Sequence, residues 1–156
     1  MAQQYFVLGI GGTGMRCIES LIHLCAMGMF DDTDIHLLAL DTDKDNGNFA
    51  RLKEVKEAYV KAKGTDASLR PALNETFFSA NINYYGDTKF NNPEQTAIAD
   101  LVLTKNVETF NLRHGYRAQT HLGSMMMYHS ILEAARSNKN SELKTYLQKL
   151  IQVAQN

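Results

Sequence analysis

The sequence predicts a three-layer α/β domain with a mainly parallel sheet. Three observations carry this: a strand-like run at residues 4–9 stops at a cluster of glycines, a helix-period pattern follows at once, and a second apolar run occupies residues 35–40. Strand, glycine turn, helix, strand is one βαβ unit, whose crossover makes the two strands parallel neighbours. At 156 residues the chain has the size of one domain, 1–156, able to bury a sizeable core.

The first strand reads Gln4-Tyr5-Phe6-Val7-Leu8-Gly9, aromatic and β-branched. A helix over about 13–27 places Ile18, Leu21, Ile22 and Cys25 at i, i+3, i+4 and i+7, and Gly28 stands where a C′ glycine would end it. Ile35-His36-Leu37-Leu38-Ala39-Leu40 is the second strand, between Asp-rich turns, with His36 expected as a satisfied core histidine. Residues 48–63 are predicted helical, with Phe49, Leu52, Val55 and Tyr59 on one stripe and Lys53, Lys56, Lys61 and Lys63 alternating with Glu54 and Glu57 on a solvated face. The stretch 64–92 has little pattern; a strand within 77–85 is weakened by Asn81 and Asn83. Asn92-Pro93-Glu94-Gln95 is a helix start, with an N-cap Asn and Pro at N1, carrying Ile98, Leu101 and Val102 inward. After a polar loop at 115–120, one helix is predicted to about residue 136 and another from about 141 to the end. In the last, Leu143, Tyr146, Leu147, Leu150, Ile151 and Ala154 form an apolar stripe that either covers the chain's own sheet or meets a partner. With only two strands well marked, a small sheet is expected.

Composition excludes several classes. Hydrophobic residues make up 44% and charged residues 21%, the balance of a globular protein, and 16 Lys+Arg against 17 Asp+Glu leave no field to attract nucleic acid or anionic lipid. The longest apolar stretch, 21–30, is broken by His23 and Gly28 and falls short of the roughly 20 residues a membrane span needs. With no basic n-region or cleavage site before the first strand, a secretory signal is not expected and the protein is predicted to be cytoplasmic. Cys17 and Cys25 lie eight residues apart on one predicted helix. That is a rise of about 12 Å, too far for a disulfide, so both are expected as reduced core thiols.

Gly9-Ile10-Gly11-Gly12-Thr13-Gly14 fits GxGxxG directly after a strand and at the opening of a helix. In such a turn Gly9 allows the sharp bend, Gly11 lets backbone approach a phosphate, and Gly14 lets the helix pack closely on the strand. The free N–H groups at the helix start, backed by the helix dipole, make an anion site, and Thr13 adds a hydroxyl. The alternative is that the glycines serve only a tight strand-to-helix turn; four of them in six residues at this spacing favour the phosphate loop. There is no Gly-Lys-Ser/Thr, so this is not a Walker A loop. After the second strand come Asp41, Thr42, Asp43, Lys44, Asp45, Asn46, Gly47 and Asn48, placed to meet a ribose or a phosphate-bound metal, or else to form an Asx-rich turn.

The glycine loop, its helix and the following Leu38-Ala39-Leu40-Asp41-Thr42-Asp43 resemble the amino-terminal nucleotide-binding half of the tubulin and FtsZ superfamily. The fuller run, through His23-Leu24-Cys25 to Asp45-Asn46-Gly47-Asn48 and Arg51, is most similar to the bacterial tubulin-like domain proteins. The resemblance covers about residues 4–52 and implies a Rossmann-like domain that binds GTP or GDP, with a Mg2+ ion or the ribose near Asp41 and Asp43. It implies nucleotide contacts from Gly9, Gly11, Gly12, Thr13, Gly14, Asp41, Thr42, Asp43, Asn46 and Asn48. By position, Gly115 to Ser124 corresponds to a third loop, which adds Arg117 and Gly123. It also implies self-assembly or a tubulin-like partner subunit. The superfamily's Gly-Gly-Gly-Thr-Gly-Ser-Gly loop is absent, and the chain has the length of about half of such a protein, which implies weak or no autonomous hydrolysis.

Three rival readings use the same residues. Asp41-Thr42-Asp43 with Asn46, Asn48 and Arg51 also resembles the Asp-x-Asp…Asn…Arg pattern of ubiquitin-activating-type adenylating enzymes, which bind ATP. A dinucleotide (NAD) domain wants its ribose acid about 20 residues past the glycines, and Asp31-Asp32-Thr33-Asp34 pushes Asp41 later than that. A non-enzymatic interaction module is the third. Elsewhere, His121 and His129 lack zincin spacing, so no metal site is expected from them. Ser20, Ser124 and Ser130 lack a nucleophile elbow. Met125, Met126, Met127 and Tyr128 read as helix core. Arg113, Arg117 and His121 either compensate phosphate charge or are ordinary surface charge.

Overall fold

The computed structural model describes residues 3–41, 47–64, 77–89, 120–136 and 141–155. In chain order the elements are β1 (Gln4–Ile10), α1 (Gly11–Ala26), β2 (Asp34–Asp41), α2 (Asn48–Gly64), β3 (Asn81–Lys89), α3 (Thr120–Arg136) and α4 (Glu142–Ala154). The strands form one parallel sheet in the order β1-β2-β3. The expected helix at Asn92, the loop 115–119 and the segment 42–46 lie outside the described residues.

β2 is the centre of the domain, buried on both faces. Ile35, Leu37 and Ala39 face α1 and α2, joining Met15, Ile18, Ile22, Cys25, Phe49, Leu52 and Tyr59. Leu38 and Leu40 face the other way, onto Ala134 of α3 and Leu143 and Tyr146 of α4. Helices thus cover both faces of the sheet, the three-layer α/β arrangement expected, and double burial is why β2 reads as an unbroken apolar run.

The parallel pairing of β1 with β2 runs from Gln4↔Asp34 to Ile10↔Leu40. β3 pairs Ile82 with Ile35 and Tyr84 with Leu37, then Asp87 with Ala39, so it carries an extra residue at this point. Gly86 absorbs it with φ +106, a conformation only glycine adopts readily. At the irregularity Tyr85 packs with the Leu38 and Leu40 cluster while Tyr84 packs with the other.

Several boundaries and roles differ from the sequence reading. α1 begins at Gly11, two residues before Thr13. It ends as predicted: Gly28, at φ +83, donates to Cys25 O (3.1 Å) and Met29 to Leu24 O (3.1 Å), the paired bonds of a Schellman motif. β3 starts at Asn81; residues 77–80 are a turn, because Phe78 sits at φ 56 and cannot continue a strand. Asn81 is tolerated at the strand start because Lys63 Nζ donates to its Oδ1 (2.7 Å) and its Nδ2 donates to Asp34 Oδ1 (2.9 Å). Lys63 is therefore not on a solvated face: it also donates to Ser79 O and Ala80 O. Cys25 is a buried thiol, but Cys17 is exposed on α1 rather than in the core. Tyr128 is 63% exposed and is not helix core, whereas Met127 packs beside Leu38 and Leu40.

Candidate functional site

The β1–α1 junction divides the work of its glycines differently from the motif's usual assignment. A Cβ on Gly14 would lie 2.8 Å from the Gly9 carbonyl carbon, and one on Gly9 would lie 3.0 Å from Gly14 O and 2.5 Å from Ile18 Cδ1. Gly9 and Gly14 therefore let helix and strand touch backbone to backbone. The sharp bend belongs to Gly11, the first residue of α1, at φ +68. Gly12 keeps space for Asn48, whose Nδ2 would be 2.7 Å from a Cβ there.

The start of α1 is open to an anion by its own chemistry. Its N-cap is Ile10, extended at φ −110 and ψ 122, which has no side-chain acceptor for the first-turn amides. No acidic residue occupies the first turn, so no carboxylate of the helix's own first turn offsets the positive end of its dipole. Thr13 is exposed there.

Asp41 ends β2 one residue beyond Leu40, the partner of Ile10, and is 1% exposed. The register thus brings a buried carboxylate to the carboxyl ends of the strands, beside Gly11. Asn48 opens α2 over Gly12. Asp41 and Asn48 both have partners within the protein. Gly9, Gly11, Gly12, Thr13, Gly14, Asp41 and Asn48 are so gathered at one end of the sheet. Gly123 lies in the first turn of α3, and Thr42, Asp43, Asn46 and Arg117 lie outside the described residues.

One buried group escaped the sequence reading. Glu19 stands on the apolar face of α1, 5% exposed, and its Oε2 takes Arg51 Nε at 2.9 Å. Its Oε1 is buried with no hydrogen-bond partner among the described residues. The signal was available: Glu19 falls at i+4 from Met15 and i−3 from Ile22, on the stripe that α1 buries. Among the described residues no three His, Cys, Asp or Glu side chains cluster as metal ligands. Among them also, no helix is long and apolar enough to cross a membrane.

Compared with protein-family models, curated proteins and solved structures, the chain gives no match to any of them.

Proposed function

We propose that the chain binds a purine nucleotide, GTP in preference, with its phosphates on the first turn of α1. One observation carries this reading: the β1–β2 register sets buried Asp41 beside a helix start that Ile10 cannot cap. In open parallel sheets ligands bind outside the carboxyl ends of the strands, and uncapped helix amides favour an anion there. The amides of Gly11, Gly12, Thr13 and Gly14 hold the phosphates, and the Asn48 amide adds a donor over Gly12. Asp41, with Thr42, Asp43 and Asn46, attends the ribose or a Mg2+ ion, and Arg117 and Gly123 belong to the third phosphate loop. Guanine preference, membership of a tubulin-like module and association with itself or a tubulin-like subunit rest on the resemblance of residues 4–52. Hydrolysis by the chain alone is weak or absent. A cytoplasmic location is part of the reading, supported by two free cysteines.

The adenylating alternative uses Arg51 at the phosphates. Arg51 Nε is instead bonded to Glu19 Oε2, which favours the first reading.

Calorimetry with GTP, ATP and NAD, with and without magnesium, tests the proposal. The expected result is saturable GTP binding that the Gly12→Ala variant loses while remaining folded. ATP binding alone would support the adenylating reading, NAD alone a dinucleotide domain, and no binding an interaction module.

A further inference from the structure

At the opposite end of the sheet from the glycine turn, a cavity of about 690 Å³ opens beside the first residues of the strands. That volume is within the range of small-molecule pockets, roughly 300–1,000 Å³. Its floor is a polar cluster in an apolar setting. His36, 3% exposed, stacks on Phe6 with ring centroids 4.4 Å apart. Its Nδ1 lies 3.0 Å from the Tyr85 hydroxyl and its Nε2 3.2 Å from Gln4 Oε1. Because Gln4 Oε1 can only accept, Nε2 carries the proton and Tyr85 donates to Nδ1. His36 is thereby neutral and fully used.

Among the described residues of the lining, one charged group stands without an ion-pair or hydrogen-bond partner. Lys63 spends its donors on Ser79 O, Ala80 O and Asn81 Oδ1. Asp34 accepts from Asn81 Nδ2. Lys149 of α4, half-buried beside His36, has no ion-pair partner among the described residues. The Asn83 amide, in the same lining, has no hydrogen-bond partner among them either. A carboxylate is the complement of the Lys149 ammonium. Ile82 and Val60 give the cavity an apolar wall.

We propose that this cavity binds a small organic monocarboxylate, with its carboxylate on Lys149 and Asn83 and its apolar part against Ile82 and Val60. The site is independent of the nucleotide reading, because it uses the other end of the sheet and none of the glycine-turn residues. A paired carboxylate cancels the Lys149 charge that faces His36, so His36 becomes easier to protonate when the ligand is bound. Among the described residues the other ionisable groups around this histidine are Asp34 on β2 and Tyr85 on β3, with Tyr146 on α4 edge-on to Tyr85.

The experiment is NMR titration of the full chain, without nucleotide, with benzoate as the probe and benzamide as its neutral isostere. The expected result is a saturable shift of the His36 Hε1 signal and an upward move of its titration midpoint. Benzamide produces neither, and Lys149→Gln weakens benzoate about tenfold or more, the size of one charge-assisted contact. Asn83 is exposed, so Asn83→Asp carries the same test if Lys149→Gln does not fold: it abolishes benzoate binding. No saturable shift at millimolar benzoate, equal binding of benzamide, or unchanged binding in a folded Lys149→Gln or Asn83→Asp protein each overturns the proposal.

Discussion

Gly9 and Gly14 meet backbone to backbone, with room at neither for a single methyl group: a Cβ on Gly14 would stand 2.8 Å from the Gly9 carbonyl carbon. Gly14→Ala must push α1 off β1, and overpacking of this kind costs about 1–3 kcal/mol. At Gly12 the obstruction is only Asn48 Nδ2, the end of a flexible side chain, which can swing away. The expected outcome is a lower urea midpoint at unchanged slope for Gly14→Ala and a near-native midpoint for Gly12→Ala. Equal destabilisation by both would contradict the contact.

The Glu19–Arg51 pair joins a buried carboxylate to a side chain that is 72% exposed. Arg51→Met strands the Glu19 charge in an apolar layer, whereas Glu19→Leu removes the charge together with its unpartnered oxygen. Arg51→Met is expected to cost about 1–3 kcal/mol, and Glu19→Leu to be near neutral or stabilising. The double variant should recover most of the Arg51→Met loss. Thermal or denaturant unfolding of the three proteins measures this.

The stripe of α4 is split by the structure. Leu143 and Tyr146 are buried and Leu147 packs against them, while Leu150 and Ile151 are 36% and 53% exposed. Leu143→Glu is expected to unfold the domain, because a buried unpaired charge costs several kcal/mol against a total of about 5–15. Ile151→Glu is expected to leave it folded. If the chain self-associates through this end of α4, Ile151→Glu also lowers the mass seen by light scattering; a wild-type chain that is monomeric at high concentration, with and without GTP, removes support for assembly.

Stability should fall on both sides of neutrality. Burial, then the Lys149 charge, push His36 below its ordinary 6.5, with Asp34 opposing. The unfolded chain therefore takes up this proton first, so the stability His36 contributes is present above pH 6.5 and is lost as pH falls toward its folded value. His36→Gln should flatten that acid limb.

On the alkaline side, burial raises Tyr59 and Tyr146 from 10 to about 12. Their contribution is present below pH 10 and lost as pH rises through about 12, at about 2–3 kcal/mol each. Tyr59→Phe gives up the hydroxyl's bond to Ala80 O (2.8 Å) and removes its share of the alkaline slope. Denaturant midpoints across pH measure both limbs.

What the sequence determined by itself is what depends on near neighbours in the chain. The βαβ opening, the Schellman end at Gly28, the stripe of α2 and the Ser141 cap of α4, which accepts from Lys144 N at 3.2 Å, are patterns of a few residues. Each is set by a local hydrogen bond or by the period of a single element, although the sequence marked only the start of α4 near residue 141 and the structure supplied the Ser141 bond. The strand at Asn81 and Asn83 was faint because its support comes from Lys63 and Asp34, far away along the chain. Only the tertiary structure decided which glycine bends and which ones pack, since φ +68 at Gly11 and the Gly9–Gly14 contact follow from α1 lying on β1. It alone buried Asp41 beside the helix start, through the β1–β2 register, and it alone gathered His36, Asn83, Tyr85 and Lys149 around one cavity. Those groups come from three elements, and burial and electrostatic pairing depend on distance in space, which no spacing along the chain encodes.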